Sequence, residues 1–361
     1  MSPPQHRPIL VTGGAGFIGS NLADRLAAAG HDVLVYDSLA RPGVGANLDW
    51  LQARHRGRIH PVVADIRDAA LLREAVQASS AVFHLAAQVA VTTSLDRPRE
   101  DMEINLLGTF NVLEAAHGCE TPPPVIFAST NKVYGDLGDL ELRLDAEGYV
   151  PVDPAIRAHG VDERRPLDFH TPYGCSKGAA DQYVLDHARS FGVPAAVLRM
   201  SCIYGERQMG TEDQGWVAHF LIRALEGKPI TLYGDGQQVR DVLDVQNAVD
   251  AYLAAWRNID TVSGRAFNLG GGPPNAISLR MLIAHIGELT GTPVQIVEAD
   301  WRPGDQRYFV ADTRLAGEAL GLGAKVPWRI GVARLACWLA DERRLPAPRS
   351  FAVPPLRAVG A

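Results

Sequence analysis

The hydrophobic positions of this chain fall into short apolar runs that alternate with amphipathic stretches of helical spacing. The first run reads PILVTGG, and the loop GGAGFIGS, the helical stretch NLADRLAAAG and a second apolar run, DVLVYD, follow it. The apolar runs IHPVVAD, AVFHLAA, PVIFAST and PAAVLRM continue the series, with helical patterns between them. Such alternation is typical of βαβ units. The pattern therefore predicts an α/β fold with a doubly wound parallel sheet over residues 1–200.

Beyond residue 200 the alternation loosens into a mixture of helical patterns and short strands. We expect a smaller mixed α/β lobe formed by 201–240 and 273–345, with 241–272 returning to the first domain and 346–361 forming a C-terminal tail. The segment 136–171 is long and polar with little periodicity, and loops of that length are typically either functional or disordered.

Composition narrows the class of protein. Hydrophobic residues make up 47%, charged residues 21%, and the net charge is −6, which argues against a nucleic acid or membrane partner. The beginning, MSPPQHRP, does not resemble a signal peptide, and no apolar run reaches the ~20 residues that span a bilayer. The four cysteines lie far apart, so we expect reduced thiols in a cytoplasmic protein. The histidines lack paired ligand spacing, so no metal site is predicted.

The loop GGAGFIGS has the features of a phosphate-binding turn. Two glycine patterns overlap in it, GxGxxG from Gly14 and GxxGxxG from Gly13, and both include Gly16 and Gly19. Glycines allow the backbone to approach a pyrophosphate, and the following helix presents free N–H groups. Asp37 lies 18 residues past Gly19, where an acid accepts the ribose hydroxyls of NAD. The alternatives are NADP, because Arg41 is nearby, and a purely structural turn.

Two later segments complete the predicted dinucleotide site. Asp65 follows the third strand, where it could meet the adenine edge or, equally, cap the next helix. The sequence HLAAQ ends the fourth strand, and the small side chains of Ala86 and Ala87 would let a cofactor lie close to the backbone.

The stretch HTPYGCSKGAADQY places Tyr173 four residues before Lys177. Positions i and i+4 share a helix face, so the two side chains can meet. Only four of the 35 basic residues are lysine, and the rest are arginine. A lysine at position 177 therefore favours a chemical role that arginine cannot fill, because arginine does not give up a proton. A tyrosine of pKa ~10 is a poor base at neutral pH, and a nearby cation would favour the phenolate. A surface contact within one helix is the alternative.

Six motifs follow one another along the chain: TGGAGFIG, HLAAQ, NLLGTFNVLEAA, STNKVYGD, PYGCSKGAADQY and RDVLDV. In this order they resemble the extended short-chain dehydrogenase/reductases, and within them the nucleotide-sugar epimerases and dehydratases with a Rossmann fold. The resemblance implies that Tyr173 is the acid/base, that Lys177 and a cationic nicotinamide stabilise its phenolate, and that Thr130 hydrogen-bonds the reacting oxygen. It also implies a homodimer through a four-helix bundle.

The resemblance further implies which residues contact the ligands. For NAD they are Gly13, Gly16, Phe17, Ile18, Gly19, Asp37, Asp65, Ile66, Leu85, Ala86, Ala87, Gln88, Asn105, Ser129, Tyr173, Lys177 and Met200. For a nucleotide-diphosphate sugar they are Thr130, Lys132, Gln208, Arg240, Arg302 and Arg307. Gln214 and Trp216 are further candidates for contact with the sugar or base.

The stretch STNKVYG limits which type of reaction the chain can catalyse. Dehydratases of this family carry an Asp-Glu pair where this chain has Asn131 and Lys132, so the elimination of water is disfavoured. Reversible hydride transfer remains: transient oxidation to a keto-sugar and hydride return from NADH. Finer motifs resemble the CDP-paratose 2-epimerase (CDP-tyvelose epimerase) group, which inverts C2. Cys202 departs from the family's usual serine or asparagine. The alternatives are a 4-epimerase, a C2-epimerase of a UDP-, GDP- or other CDP-sugar, and a non-catalytic NAD-binding regulator.

Overall fold

The structure, a computed structural model, describes residues 7–302, 304–346 and 348. Most of the predicted tail, 346–361, lies outside the described residues. The strands, in chain order, are β1 Ile9–Thr12, β2 Val33–Asp37, β3 Ile59–Val63, β4 Ala81–His84, β5 Val125–Thr130, β6 Leu142–Asp145, β7 Gly148–Pro151, β8 Ala195–Met200, β9 Cys202–Tyr204, β10 Ile230–Tyr233, β11 Val239–Asp244, β12 Arg265–Leu269, β13 Ala276–Ser278, β14 Ile296–Ala299 and β15 Tyr308–Phe309.

The α-helices are α1 Phe17–Ala28, α2 Val44–Arg54, α3 Ala69–Gln77, α4 Val91–Asp96, α5 Pro98–Met102, α6 Gly108–His117, α7 Pro154–His159, α8 Thr171–Phe191, α9 Trp216–Leu225, α10 Val245–Arg257, α11 Ile259–Val262, α12 Leu279–Thr290, α13 Arg314–Leu320 and α14 Trp328–Glu342. A π-helical segment, Glu103–Leu107, joins α5 to α6, and 3₁₀ turns cover Asn131–Tyr134 and Pro273–Asn275.

The central sheet confirms the predicted fold class. Within the described residues, seven parallel strands run in the order β12-β8-β5-β4-β1-β2-β3. Apolar clusters cover both faces of this sheet. The strand order reverses between β1 and β4, and in parallel sheets ligands bind beyond the carboxyl ends of the strands at such a point. The segments that follow β1, β2, β4, β5 and β8 are therefore brought to one edge.

The later part of the chain adds smaller sheets beside the central one. Strand β11 pairs with β9, β13 and β15, and β10 pairs with β14. Helices α9, α12 and α14 pack over these strands around a separate apolar cluster. The returning segment contains α10, which packs on α1, and β12, which pairs with β8.

One helix from the predicted lobe, α13, packs against the central sheet. Ala316 and Leu320 of α13 lie in the core that covers the central sheet, although 273–345 was expected to belong wholly to the lobe. The reason is that α13 packs against β12 and α10, which belong to that sheet and its helical layer.

The long polar segment 136–171 is ordered rather than structureless. It forms the antiparallel hairpin of β6 and β7, followed by the short helix α7. Its period was hard to read because both strands have only four residues and β6 is largely solvent-exposed. Within residues 7–302, 304–346 and 348, no helix is both long enough and apolar enough to cross a lipid bilayer.

Candidate active site

The glycine loop after β1 leaves no room for side chains. Gly13 has φ +66°, and a Cβ there would lie 2.7 Å from the backbone nitrogen of Ala86. A Cβ on Gly16 would lie 3.0 Å from the carbonyl oxygen of Gly13, and one on Gly19 would collide with the same oxygen. Gly16 is also the N-cap of α1, whose first N–H groups are free to meet an anion. The loop therefore fits the pyrophosphate of a dinucleotide.

Asp37 ends β2 beside this loop. Its Oδ2 accepts a hydrogen bond from the Ala15 backbone nitrogen at 3.1 Å, and its Oδ1 accepts one from Leu39 nitrogen at 2.9 Å. Burial raises the pKa of Asp37, and these backbone donors oppose that rise. The carboxylate is thus fixed at the end of the second strand, where an acid accepts the ribose hydroxyls of NAD.

Asp65 does not cap the helix that follows it, so that interpretation is wrong. The N-cap of α3 is Asp68, whose side chain accepts from Leu71 nitrogen at 3.1 Å. Asp65 instead pairs with Arg67 through contacts of 2.7 Å and 3.0 Å, which lower the pKa of the Asp65 carboxyl group. The contact of Asp65 with the adenine edge stays a prediction. Its neighbour Ile66 is buried and packs against Gly108.

Asn105 holds the segment after β4 in place. It is fully buried in the π-helical segment; its Oδ1 accepts from Gln88 nitrogen at 2.8 Å, and its Nδ2 donates to the Gln88 carbonyl and to Ser176 Oγ. Leu85, Ala86, Ala87 and Gln88 are all partly buried. Asn105 therefore positions the 85–88 segment against α8 through its own side chain, and its direct contact with NAD stays a prediction.

His84 at the end of β4 is a packed histidine. Its Nδ1 lies 2.7 Å from Thr12 Oγ1, and its Nε2 lies 2.9 Å from Thr109 Oγ1. Because the Thr109 hydroxyl donates to the Asn105 carbonyl at 2.6 Å, Nε2 must carry the proton. Burial, with a smaller effect from Lys177, lowers the pKa of His84 to about 3.

Tyr173 and Lys177 lie one turn apart near the start of α8. The Tyr173 side chain hydrogen-bonds that of Thr130, which lies at the end of β5. Lys177 is buried, and its Nζ lies 4.2 Å from the centre of the Phe127 ring. The Tyr173 backbone nitrogen also donates to Ser94 Oγ at 3.2 Å. The three residues predicted to be catalytic are thus brought to the same edge of the sheet.

The protein's own groups do not make Tyr173 acidic. Burial raises the pKa of Tyr173 to about 12, the Thr130 hydrogen bond opposes this rise, and the Asp101 carboxylate adds to it. Burial also lowers the pKa of Lys177 to about 7, against the opposing effect of Asp181 and Asp101. The acidification that the resemblance implies therefore requires a further positive charge beside the phenol.

A buried ionic network, not anticipated from the sequence, lies beneath α8, the helix that contains Tyr173 and Lys177. The Asp181 carboxylate accepts two hydrogen bonds from Arg199, both at 2.9 Å, and one from Ser129 Oγ at 2.7 Å. Arg199 also donates to the Tyr134 hydroxyl at 3.1 Å. Ser129 therefore directs its hydroxyl towards Asp181, and its contact with NAD stays a prediction. An acid four residues after Lys177 was the only local signal.

A cleft of about 250 Å³ opens at Lys132, two residues after Thr130. Lys132 lines it; its Nζ donates to the Gly304 carbonyl at 3.0 Å, and burial lowers its pKa to about 8. Arg240 also lines it and is paired with Asp305 at 2.7 Å. Arg302 stacks on Tyr233, with its guanidinium carbon 3.9 Å from the ring centre. Cys202, Gln214 and Trp216 are further wall residues.

The remaining predicted residues lie around these groups. Gln208 is buried beneath Gly215 and donates to the Ile203 carbonyl, so it is not part of the cleft wall. Arg307 is exposed and lies over Tyr149, also away from the wall. Phe17 and Ile18 begin α1, and Met200 ends β8, where its sulfur accepts from the Tyr252 hydroxyl. The substrate roles of Gln208 and Arg307 stay predictions.

One group of side chains near the site has the donor types of a metal site. Donor atoms of Asp136, Asp168 and His170 lie within 4.8 Å of one another, just before α8. Both aspartates are exposed, and acidic clusters of this kind are common on protein surfaces.

Comparisons with known proteins agree with this arrangement. Residues 9–270 match the model of the NAD dependent epimerase/dehydratase family. CDP-paratose 2-epimerase of Salmonella typhi is 42% identical over 340 residues, covering 92% of this chain and 99% of that protein. UDP-glucose 4-epimerase of Mycolicibacterium smegmatis is 32% identical over 326 residues, covering 90% and 96%. The crystal structure of UDP-glucuronic acid 4-epimerase from Bacillus cereus, in complex with UDP-glucuronic acid and NAD, has a TM-score of 0.80 and 26% identity, covering 93% and 99%.

Proposed function

From the premise that this chain belongs to the NAD dependent epimerase/dehydratase family, we propose that it inverts C2 of a CDP-sugar of the paratose/tyvelose type. The chain is an NAD-dependent nucleotide-sugar epimerase, and therefore an isomerase. The observation that carries the choice of sugar is the 42% identity to a CDP-paratose 2-epimerase, against 32% to a UDP-glucose 4-epimerase of similar coverage.

In this mechanism Thr130, Tyr173 and Lys177 each have a separate role. Thr130 and Tyr173 share a hydrogen bond, so both can approach one sugar hydroxyl, and Tyr173 exchanges its proton with that oxygen. Lys177, held beneath them, contributes positive charge in its protonated form. NAD, when bound against the glycine loop and Asp37, supplies reversible hydride transfer at the carbon of that hydroxyl.

The replacement of the dehydratase carboxylates supports epimerisation. Asn131 donates to Gln306 Oε1 at 3.0 Å, and Lys132 donates to the Gly304 carbonyl. Neither can serve as the carboxylic acid that water elimination requires, and both bind the 304–306 segment beside Arg240. In this proposal Lys132 and Arg240 bind the sugar diphosphate, because guanidinium and ammonium groups suit phosphate oxygens. Arg302 contacts the substrate from the same cleft wall, beside Glu212.

The test is the position of inversion. The NAD-loaded protein is incubated with CDP-paratose and, separately, with UDP-glucose, and the products are followed by proton NMR. We expect the coupling between H1 and H2 to change with CDP-paratose, and no product with UDP-glucose. Inversion at C4, or turnover of UDP-glucose alone, would replace this proposal with the 4-epimerase alternative. Loss of turnover in the Tyr173→Phe variant distinguishes catalysis from a contaminating activity.

A homodimer through α6 and α8 is part of the proposal. Along these helices Phe110, Tyr183, His187 and Phe191 form a chain of aromatic contacts, and the side chains of Tyr183 and Phe191 are 46% and 50% exposed. Covering such rings stabilises helix pairs between subunits. Light scattering on the Phe191→Glu variant, with the distant Val63→Glu variant as a control, should show monomers for the first only.

A cytoplasmic location is the final part of the proposal. Cys119, Cys175, Cys202 and Cys337 are all free thiols, as is usual in a reducing compartment. Fractionation of the source cells with an antibody to this chain should place it with the cytoplasmic proteins, and recovery from an exported fraction would contradict this.

A further inference from the structure

The cleft is electrically asymmetric along its length. Lys132 and Arg240 line the part beside Gly304 and Asp305, where Asp305 pairs with Arg240. Glu212 and Asp213 line the part near β10, where Arg302 is the accompanying cation. A nucleotide diphosphate carries its charge next to the sugar, and carboxylates repel it. A substrate whose sugar lies near Tyr173 must therefore place its diphosphate by the cations and its base by Glu212.

The wall at the base end is rich in hydrogen-bond acceptors. Glu212 Oε1 accepts from the Tyr233 hydroxyl at 2.7 Å, and the Thr231 side chain also hydrogen-bonds this carboxylate. A carboxylate offers about four acceptor positions, so these donors leave capacity for a ligand. Gln238, 2% exposed, donates its Nε2 to the Tyr233 carbonyl, and its Oε1 has no hydrogen-bond partner among residues 7–302, 304–346 and 348.

Contacts from Arg302 and Tyr233 fix the orientation of the Glu212 carboxylate. Arg302 lies over the Tyr233 ring and donates to the Glu212 backbone carbonyl at 3.0 Å. Its guanidinium also lies 3.8 Å from both the Glu212 and Asp213 carboxylates. Tyr233 thus fixes one carboxylate oxygen of Glu212. The neighbouring Asp213 carries the same charge in the same cleft but is not bound by Tyr233 in this way.

We propose that the Glu212 carboxylate selects cytosine over uracil by accepting a hydrogen bond from the exocyclic amino group of the base. Cytosine presents an amino donor at the position where uracil presents a carbonyl oxygen, and a carboxylate pairs with the first and repels the second. The proposal rests on the proposed function, because it concerns the base of the same nucleotide-sugar substrate.

The experiment measures the binding of CDP and UDP to the NAD-loaded protein by calorimetry. We expect the wild-type protein to bind CDP at least about tenfold more tightly than UDP, because a hydrogen bond to a charged group discriminates by about that factor. Glu212→Gln should weaken CDP binding by about tenfold and reduce the CDP/UDP ratio to near one, because an amide can also donate to the uracil oxygen. Tyr233→Phe should reduce the ratio by a smaller factor.

Asp213→Asn is the matched control, because it removes the same charge from the same cleft. It should leave the CDP/UDP ratio at its wild-type value. A ratio that Glu212→Gln leaves unchanged, or that Asp213→Asn lowers equally, would overturn the assignment of Glu212 while leaving the epimerase proposal intact. If neither nucleotide binds the wild-type protein, the nucleotide-sugar proposal fails, and the base assignment fails with it.

Discussion

Asp181 and Arg199 form a buried ion pair with two guanidinium–carboxylate contacts of 2.9 Å each. Asp181 lies one turn after Lys177 on α8, and Arg199 lies on β8, so the pair joins the catalytic helix to the central sheet. Ser129, next to Thr130, donates to the same carboxylate. Through Ser129 and Arg199, Asp181 therefore connects α8 to β5 and β8, and the residues predicted to be catalytic lie on α8 and β5.

Removing one partner of this pair should strongly destabilise the protein. Asp181→Asn leaves the Arg199 charge buried without its counter-ion, which costs about 3–5 kcal/mol of unfolding free energy. Urea unfolding monitored by circular dichroism measures this loss. Asp186 pairs with Arg189 on the exposed face of the same helix, so Asp186→Asn should cost no more than about 1 kcal/mol. Equal losses of unfolding free energy in the two variants would show that the buried pair stabilises the protein no more than the exposed pair does.

Replacing the phenol of Tyr173 should abolish proton exchange without unfolding the site. Tyr173→Phe is expected to lower kcat by about 10²–10⁴, because it removes a general acid/base. Its bound NAD and its affinity for CDP should remain close to those of the wild type. Tyr183→Phe on the same helix is the control, because it keeps the aromatic ring that the proposed dimer covers, and it should retain full turnover. Comparable activity in the Tyr173 variant would remove that residue from the mechanism.

The glycine loop should tolerate no added methyl group at Gly13. Gly13→Ala places a Cβ 2.7 Å from Ala86 nitrogen at a positive φ, so the loop must move away from its pyrophosphate-binding shape. We expect most of the NAD released on denaturation, measured by chromatography, to be lost. Gly45→Ala is the control, since an added Cβ there meets nothing within 4 Å. Full NAD content in the Gly13 variant would contradict this prediction.

His84 should make the protein less stable in acid. Its pKa falls from 6.5 to about 3 on burial, so below pH 6.5 the unfolded chain binds a proton that the folded protein does not. The contribution of His84 to the free energy of unfolding therefore falls by about 1.4 kcal/mol for each pH unit between 6.5 and 3, and this contribution is constant above 6.5. Urea unfolding at pH 7.5 and 5.5 measures the difference.

His84→Gln should reduce this pH dependence, because glutamine does not titrate and can still pair with Thr12 and Thr109. The wild-type protein, measured at the same two pH values, is the comparison. An unchanged slope in the His84 variant would assign the acid sensitivity to other groups.

Features that depend on local spacing were predictable. The glycine loop follows β1 as expected, and Tyr173 and Lys177 share one helix because their separation matches a helical turn. Asp65 was harder to assign, because both Asp65 and Asp68 stand close before α3 and only the backbone path decides which one caps it. Arg302 and Arg307 were equivalent in the sequence, yet only Arg302 lines the cleft.

The sequence by itself determined the alternating strands and helices of the central sheet, the glycine loop after β1 and the one-turn spacing of Tyr173 and Lys177, because each depends on interactions between residues close in the chain. Only the tertiary structure decided which distant side chains meet, such as Asn131 and Gln306, which are 175 residues apart and 3.0 Å from each other. It also decided that Tyr173 has a raised pKa and Lys177 a lowered one. Burial causes both shifts, and burial is a property of the packed chain rather than of any local motif.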